Sequence, residues 1–582
     1  MRKLKGIPAS EGIAIGPAFV YRPEKPKFER RQVEDVKAEL ERFQRAVERS
    51  MEQLAEIRAR AEEEMGENTA RIFEAHLLFL EDPALLKKVH SKIKSKKLNA
   101  EAAVAETVEE FAVIFEAMEE EYMRARAADV QDVGQRLLRN LLGLSEKSLD
   151  ELTSPAIVVA EDLAPSDTAR MNKSLVLGFC TATGGTTSHT AIMARILGIP
   201  AVVGIGKEIL NIKPGQNLIV DGKEGMVISG APEGLVAEYR RRQREFQTKR
   251  EIALAIAQQP AQTFDGHRVE VVANIGDLDS AKVALEYGAE GVGLLRTEFL
   301  YLDRQNLPSE EEQYTAYRAI ADIMGQRPLI IRTLDIGGDK RLSYLDIGDE
   351  LNPFLGWRAI RLCLERIDLF KTQLRAILRA GYERNVKIMF PMIADVGEVR
   401  RAKSILAEAK AELEVRGIPF ISNVEVGIMV ETPAAALAAD VLAEEVDFFS
   451  IGTNDLIQYT MACDRTNEKV AYLYQPLHPV ILRLIKGVID AAHRAGKWVG
   501  LCGAMAGESL AIPILLGLGL DEFSMNAVAI PKAKEIIRSF SLEETQQVAS
   551  YILSLKTLEE VQLRAREIIA EKMKRNVSPS LP

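Results

Sequence analysis

The runs VEVGIMVETP at residues 424–433 and VDFFSIGTNDL at residues 446–456 each place apolar residues ahead of charged or polar ones, and a helical stretch separates them. Such runs of β-branched and aromatic residues, bounded by turn residues, are typical of β-strands. Six further runs of this kind are VEVVANIG (269–276), GVGLLRTEFL (291–300), LIIRTLDIG (329–337), VKIMFPMI (386–393), WVGLCGAMAG (498–507) and DEFSMNA (521–527). Eight strand-like runs that alternate with helical stretches over about 260 residues predict a (βα)8 barrel.

The sequence upstream of these runs has two different textures. Between residues 33 and 143, apolar residues such as Phe43, Val47 and Leu54 recur every three or four positions, which predicts long amphipathic helices in a bundle. Short β-branched runs in residues 144–230, together with the similar opening segment 1–20, predict a compact α/β domain. We therefore predict a multidomain α/β chain with an α/β domain at 1–20 plus 144–230, an inserted helical domain at 21–143, a linker helix at 231–260, and the barrel with C-terminal helices at 261–582.

The composition excludes several classes of protein. The 582 residues carry 75 Lys and Arg against 85 Asp and Glu, so a net charge of −10 argues against sequence-independent nucleic-acid binding. The apolar runs are shorter than the ~18 residues that a membrane span needs. Pro8 and Glu11 interrupt any apolar signal core near the N-terminus. The sequence predicts a soluble, cytoplasmic protein, since its four cysteines form no CxxC pair and lie far apart, at Cys180, Cys363, Cys463 and Cys502.

Charged residues cluster at the carboxyl ends of the predicted barrel strands, which is where the catalytic groups of such barrels lie. Burying unpaired charge costs several kcal/mol, so these residues must face a polar ligand, a metal or each other. Internal ion pairs remain an alternative for any single residue. The charged set comprises Arg296, Glu298, Arg332, Asp335, Lys340, Glu431 and Asp455, with Arg358 and Arg465 in the following loops or first helical turns. Asn454 and Cys502 stand at the same strand ends.

The chemistry of this set predicts a site for a small, highly anionic substrate with a divalent cation. Arginine forks match phosphate and carboxylate groups, and Lys340 adds a point charge. Glu431 and Asp455 offer the hard oxygen ligands that Mg²⁺ prefers. Cys502 has two interpretations, because a lone cysteine on a strand is more often a small buried apolar residue, whereas nearby cations could lower its pKa and allow proton transfer.

A second candidate site lies in GFCTATGGTTSHTAIMARILGIPAVVG, residues 178–204. A strand ends here, Gly184 and Gly185 form a turn, and a helix begins near His189. Backbone N–H groups and the positive end of the helix dipole favour a neutral imidazole and would stabilise an attached phosphate. A phosphate fits better than a metal because no second ligand stands nearby. Taken alone, the motif is also compatible with a structural histidine.

Seven motifs, in chain order, resemble enzyme I of the phosphoenolpyruvate:sugar phosphotransferase system. They are GGTTSHTAIMAR, GVGLLRTEFL, RTLDIGGDK, NPFLGWRAIR, MVETPAA, FFSIGTNDLIQYTMACDR and LCGAMAGE. The resemblance covers essentially the whole chain. It implies a swivelling phosphohistidine domain with an inserted helical domain, and a barrel that binds phosphoenolpyruvate and forms a homodimer.

The resemblance also implies a role for each matched residue. His189 resembles the phosphorylated histidine, and Thr168 its hydrogen-bonding neighbour. Glu431 and Asp455 match Mg²⁺ ligands, and Cys502 matches the proton donor to the enolate. The residues that hold the substrate phosphate and carboxylate are matched by Arg296, Arg332, Arg358 and Arg465, with Asn454 assisting. The inserted bundle resembles the part of enzyme I that docks the phosphocarrier protein HPr.

Two positions depart from the family pattern. Thr186 stands where enzyme I sequences often have arginine, and we expect this difference to loosen the phosphate contacts of His189. Ala504 stands where a glutamate is usual, and its substitution removes a carboxylate near Cys502. Neither departure affects the matched phosphoryl acceptor or the metal ligands, so we expect activity.

The resemblance implies phosphoryl transfer from phosphoenolpyruvate to His189 and then to a histidine of HPr, with release of pyruvate, as the first step of the sugar phosphotransferase system. The nearest enzymatic alternative is a pyruvate phosphate dikinase or phosphoenolpyruvate synthase, which needs a large nucleotide-binding domain ahead of the histidine module. Two further alternatives are a Mg²⁺-dependent barrel lyase of oxo acids and a non-catalytic sensor of phosphoenolpyruvate.

Overall fold

A computed structural model describes most of the chain in two compact units, Met1–Lys249 and Arg250–Pro582. The residues that it describes are 1–22, 26–65, 73, 76–116, 121–144, 149, 152–163, 167, 171–185, 188–302, 304–338, 342, 344–345, 348, 350–465, 467 and 469–577. Within these ranges the side chains of 59–65, 116, 121–126, 128, 173, 189, 192, 196, 249–250 and 573–577 are not described. The division between the units falls inside the predicted linker helix, and the predicted domain limits stay predictions.

The first unit contains a sheet of eight strands in the order β1-β8-β7-β3-β4-β5-β6-β2. Its central strands β3 and β4 run parallel, with Ala18 opposite Ile157. One face of the sheet is apolar around Phe179 and Ala191, and the other is apolar around Cys180 and Val220. The strands are β1 Arg2–Lys5, β2 Ile7–Ser10, β3 Ile13–Tyr21, β4 Ala156–Ala160, β5 Val176–Thr181, β6 Ala201–Val203, β7 Asn217–Asp221 and β8 Met226–Ser229.

A helical bundle is inserted between the adjacent strands β3 and β4. The helices with defined bounds among its described residues are α1 Val36–Met65, α2 Pro83–Lys96, α3 Ala100–Glu116 and α4 Glu121–Leu142, and residues 76–81 are also helical. The apolar positions that predicted the helices form its core, since Phe43, Val47 and Leu54 are buried. Helix α2 begins at Pro83 because the side chain of Asp82 accepts the N–H of Ala84 at 2.7 Å.

Two further helices have defined bounds among the residues described between β4 and the barrel. Helix α5 is His189–Leu197, capped by Ser188 and ended by Gly198 in the left-handed conformation. Helix α6 is Glu233–Ala257 and reaches the start of the second unit.

The second unit is built on a closed barrel of eight parallel strands, so the barrel prediction is confirmed. The strands are β9 Glu270–Ile275, β10 Val292–Leu295, β11 Leu329–Arg332, β12 Val386–Phe390, β13 Glu425–Val430, β14 Phe448–Ile451, β15 Trp498–Leu501 and β16 Glu522–Met525. The period of two along each strand separates the two faces. Residues such as Met389 and Phe448 fill the interior, and residues such as Ile388 and Phe449 pack against the helices outside.

The helices of the second unit cover the barrel. They are α7 Leu278–Glu286, α8 Glu310–Met324, α9 Ala359–Glu365, α10 Ile367–Ala380, α11 Val396–Val415, α12 Pro433–Leu437, α13 Ala439–Ala443, α14 Thr453–Thr460, α15 Pro479–Arg494, α16 Ile512–Leu518, α17 Ile530–Ser539, α18 Leu542–Ser554 and α19 Leu558–Val577. The capping box from Ser309 to Glu312 opens α8, as its sequence predicts. Among the described residues, no helix combines the length and apolar character needed to cross a membrane.

Candidate active site

Two buried arginines lie at the carboxyl ends of the barrel strands and are held by carboxylates. Arg332 is the last residue of β11, and its guanidinium forms an ion pair with Glu298. Its Nη1 also lies 2.8 Å from Oδ2 of Asp335. The other oxygen of Asp335, Oδ1, lies 2.8 Å from Nη2 of Arg358. Because both guanidinium groups are paired and buried, their orientations are fixed before any ligand arrives.

Arg358 reaches this position through the loop that follows β11. The loop passes close to Arg358 at Gly337, where φ is +115° and a Cβ atom would lie 2.3 Å from Cβ of Arg358. Only glycine satisfies both conditions at this position. The guanidinium of Arg358 donates from Nη1 to the hydroxyl of Tyr459 at 3.2 Å, and its Nη2 lies 3.6 Å from Oδ2 of Asp455.

Two further carboxylates stand beside the arginines. Glu431 directly follows β13, is buried, and accepts the N–H of Met392 at 2.6 Å through Oε1. Asp455 lies in the first turn of α14. Burial, followed by the charges of Asp455 and Asp335, raises the pKa of Glu431 to about 8. A cation bound at Glu431 and Asp455 would relieve this unfavourable burial of negative charge.

The donor set at Glu431 and Asp455 suits a hard divalent cation. In the part of the chain that the structure describes, no group of three or more His, Cys, Asp or Glu residues is arranged to hold a metal ion. A cation here would therefore take its remaining ligands from substrate oxygens and water. Gly452 leaves space beside the carboxylate, because a Cβ atom there would come within 3.0 Å of Oε2 of Glu431.

Cys502 follows β15 on the interior of the barrel and is buried. Its thiol donates to the carbonyl of Ile451 with an Sγ···O distance of 3.8 Å, and its own carbonyl accepts from Nδ2 of Asn274 at 2.9 Å. Burial is the main cause that raises its pKa to about 11, against the opposing effects of Ser450 and of nearby cations including Arg296. The thiol therefore keeps its proton at neutral pH and can serve as an acid.

The outer residues of the site are more accessible. Arg296 follows β10 and is exposed, and the side chain of Arg465 is 34% exposed with Nη1 3.9 Å from Oδ1 of Asp455. The side-chain oxygen of Asn454 accepts the N–H of Ala504 at 3.1 Å. Two arginines of the site, Arg332 and Arg358, are buried and already paired, whereas Arg296 and Arg465 are accessible. Such an arrangement can bind a multiply charged anion.

The remaining predicted residues are only partly described. Lys340, Thr168 and the departure at Thr186 lie outside the described residues. His189 is the first residue of α5, but its side chain is not described. The cap of the helix is described: the Ser188 side chain accepts the N–H of Ala191 at 3.4 Å.

Comparison with known proteins matches the chain along its length. Three family models fit: "PEP-utilising enzyme, N-terminal" at residues 5–126, "PEP-utilising enzyme, mobile domain" at 152–225 and "PEP-utilising enzyme, PEP-binding domain" at 250–542. The phosphoenolpyruvate-protein phosphotransferase of Geobacillus stearothermophilus is 52% identical over 562 residues, which are 96% of this chain and 97% of the relative. That of Bacillus subtilis (strain 168) is 52% identical over 563 residues, 96% of this chain and 98% of the relative.

The chain belongs to the phosphoenolpyruvate-protein phosphotransferase family, also called enzyme I. The predicted family and the predicted multidomain fold class are both confirmed.

Sequence reasoning missed several residues of this enzyme I site. Tyr459 donates to the carbonyl of Phe354 at 2.6 Å while it accepts from Arg358, and nothing in its position along the sequence signals this. Asn274 supports the backbone of Cys502, and the signal that could have found it is a polar residue inside the apolar run 269–276. The sequence indicates a charge at Asp335, but it does not indicate that this carboxylate pairs with both Arg332 and Arg358.

Proposed function

We propose that this chain transfers the phosphoryl group of phosphoenolpyruvate to His189 and then to a histidine of HPr, with release of pyruvate. The observation that carries the proposal is the convergence of Arg332, Arg358, Glu431 and Cys502 at one barrel mouth. It occurs in a chain that belongs to the enzyme I family.

The arginines supply the binding energy and the orientation for the substrate. Phosphoenolpyruvate carries a phosphate and a carboxylate, and arginine forks bind both groups bidentately. Arg332 and Arg358 are held by Asp335 and need no rearrangement, whereas Arg296 and Arg465 can close on the ligand from the accessible side. Fixed positive groups around the transferring phosphoryl stabilise the charge on its oxygens in the transition state. Asn454 would add contacts to the same anion. Lys340, which is assigned from its sequence motif, would do so as well.

We assign Glu431 and Asp455 as the residues that hold Mg²⁺. Both are hard oxygen donors, and the raised pKa of Glu431 means that its ionised form is unfavourable at this site unless a cation is bound beside it. When bound, Mg²⁺ would neutralise charge on the substrate oxygens. Glu431 keeps its orientation in this role because its other contact, with the N–H of Met392, is a backbone hydrogen bond.

Cys502 acts as the acid on the organic product. Cleavage of the O–P bond leaves its electron pair on the enolate oxygen, and the enolate of pyruvate then takes a proton on its terminal carbon. The thiol of Cys502 is protonated at neutral pH and buried, so it can give this proton without competition from solvent. The thiolate that remains takes up a proton before the next turnover.

His189 accepts the phosphoryl group in our proposal. It begins α5, where backbone N–H groups stabilise negative charge, and a phosphate on its ring would benefit from them. Thr168 would be its hydrogen-bonding neighbour, as in the family. Because His189 and the barrel residues belong to different units, His189 must move to the barrel mouth for one step and away from it for the next.

We propose that HPr docks on the helical bundle of residues 21–143. Three large apolar side chains are exposed there: Leu78 at 56%, Val113 at 53% and Ile114 at 49%. Phe79 and Phe111, which neighbour these residues along the chain, contact each other edge to face with ring centroids 5.8 Å apart. The segments that carry the exposed residues are therefore neighbours. Leu78→Asp should weaken HPr binding, and Leu144→Asp, at another exposed position, should not.

We also propose that the barrel forms a homodimer. Leu437 on α12, Val441 on α13 and Val480 on α15 are exposed apolar residues on helices that pack against one another. Exposed apolar residues on neighbouring helices favour association with another protein surface. Leu437→Asp should shift the sedimentation of the chain from dimer to monomer at micromolar concentration.

One experiment tests the function directly. The chain is mixed with phosphoenolpyruvate and Mg²⁺, with and without HPr, and phosphate is mapped by mass spectrometry under conditions that preserve phosphohistidine. We expect phosphate on His189, its passage to HPr, and stoichiometric pyruvate. His189→Ala should abolish transfer but keep phosphoenolpyruvate binding. Phosphorylation retained in that variant, or turnover that requires ATP, would overturn the proposal.

A further inference from the structure

A buried lysine holds the C-terminal end of α6 to the barrel. Lys534 on α17 is 1% exposed. Its Nζ donates to the carbonyls of Ala257 at 2.8 Å, Gln259 at 2.9 Å and Gly288 at 2.8 Å, and it pairs with Oε1 of Glu290 at 2.8 Å. Ala257 is the last residue of α6, so this ammonium group caps the final carbonyl of the helix and also binds two carbonyls outside it.

The short segment that follows α6, up to residue 261, is also hydrogen-bonded to the second unit. Glu290 accepts the N–H of Ala261 at 2.8 Å, and Arg538 donates to the carbonyl of Pro260 at 3.0 Å. At Gly288, φ is +82° and a Cβ atom would lie 2.2 Å from the carbonyl oxygen of Ala257, so only glycine permits this approach. Residues 257–261 are therefore held to the barrel by these hydrogen bonds.

The beginning of α6 is attached to the first unit instead. Tyr239 packs with Ile219 and Ile228 of the sheet, and Nε2 of Gln243 donates to the carbonyl of Ile13 at 2.7 Å. Between residues 244 and 256, every described side chain is exposed or half-buried. A helix with little packing has marginal stability over such a length. The stretch between the two attachments thus contains no buried side chain among those described.

We propose that Lys534 is a positioning residue for phosphoryl transfer from the barrel to His189. Lys534 holds the C-terminal end of α6 in place on the barrel. When the first unit moves, bending is therefore confined to the part of α6 that precedes Ala257. This inference rests on the proposed function. Loss of the Lys534 contacts leaves substrate binding intact but allows His189 a wider range of positions. A smaller fraction of its approaches to the barrel then reaches a productive geometry.

Lys534→Met tests the inference, because methionine fills the space without charge or donors. We expect the single-turnover rate of His189 phosphorylation by phosphoenolpyruvate to fall roughly tenfold or more, since small misplacements of reacting groups carry large costs. The Kd for phosphoenolpyruvate should stay within about twofold of wild type. Phosphoryl transfer from phosphorylated HPr to His189, which uses only the first unit, should be unchanged.

Two further variants make the result interpretable. Lys532→Met is the matched control, because Lys532 is on the same helix, is exposed and pairs with Glu535 at 2.8 Å. Glu290→Gln keeps the three carbonyl contacts of Lys534 but removes its charged partner, and we expect a smaller loss, about threefold, in the same step. If Lys534→Met does not fold, Glu290→Gln serves as the test variant in its place.

The outcomes separate the two proposals. A wild-type rate for the phosphoenolpyruvate step in Lys534→Met, or in Glu290→Gln if that variant has to carry the test, would overturn the positioning role. A parallel loss of phosphoenolpyruvate affinity would also overturn it and would show a merely structural role. If the wild-type chain itself takes no phosphate from phosphoenolpyruvate but accepts it from phosphorylated HPr, the proposed donor reaction fails, whatever the variants do.

Discussion

Oδ1 of Asp335 lies 2.8 Å from Nη2 of Arg358, and this buried pair joins two arginines into one rigid unit, because the other carboxylate oxygen binds Arg332. The two cations repel each other, and the carboxylate between them offsets that repulsion. In the proposed site, an anionic substrate would therefore meet a preorganised pair of guanidinium groups.

Asp335→Asn should damage both stability and activity. It leaves two buried cations without their shared partner, and breaking a buried pair costs about 3–5 kcal/mol. We expect a loss of that size in the free energy of unfolding from urea titration, and a fall of about 100-fold in kcat/KM for phosphoenolpyruvate. Asp368→Asn, which removes an exposed partner of Arg366, is the control and should cost at most about 1 kcal/mol. Equal losses in both variants would contradict the bridging role.

Cys502→Ala should separate chemistry from binding. Without the buried acid, we expect kcat for pyruvate formation to fall by about 100-fold or more, while the Kd for phosphoenolpyruvate changes by less than about threefold. Isothermal titration and a coupled pyruvate assay measure the two quantities. Cys180→Ala, a buried cysteine of the sheet in the first unit, should keep wild-type kcat. A wild-type kcat in Cys502→Ala would remove the thiol from the mechanism.

Glu431→Gln should abolish the response of the protein to Mg²⁺. We expect Mg²⁺ to raise the melting temperature of the wild-type chain, since a ligand that binds only the folded state stabilises it. The variant should show no such rise and no measurable turnover. Glu425→Gln is a control on the same strand, at its other end, where Glu425 pairs with Lys387. A normal Mg²⁺ shift in Glu431→Gln would place the cation elsewhere.

Glu522 predicts a pH dependence of stability that is independent of catalysis. It is buried in the barrel interior, and burial, followed by repulsion from Glu270, raises its pKa from 4.5 to about 8. A raised pKa means that the folded state holds the proton more tightly than the unfolded state. The associated stability is fully present below pH 4.5, declines as the pH rises, and is lost above about pH 8.

Glu522→Gln should therefore be more stable than wild type at pH 9, by about 2 kcal/mol or more, and close to it at pH 4.5. Urea titrations at several pH values measure the difference. Glu414→Gln, at an exposed position on α11, should show no such trend. A difference that does not change between pH 4.5 and pH 9 would rule out Glu522 as the titrating group.

The barrel and most of its mouth were predictable because a strand period of two and a loop after each strand fix where Arg332, Glu431 and Cys502 must lie. The pairing of Asp335 with two arginines was not predictable, since it depends on the path of a loop that turns at Gly337. Glu522 illustrates a second limit. Its place in the run DEFSMNA does not reveal that it points into the barrel, because a one-residue shift of register would reverse its face.

The adjacency of β3 and β4 has a consequence for how the family can diversify. The two strands pair directly, Ala18 opposite Ile157, so the register of the sheet does not depend on the helices threaded between them. If HPr docks on the bundle, as we propose, mutations that redesign the bundle for a new recipient can accumulate without disturbing the sheet that positions α5. On that proposal, exchange of the bundle between relatives should swap the choice of recipient while leaving donor chemistry intact.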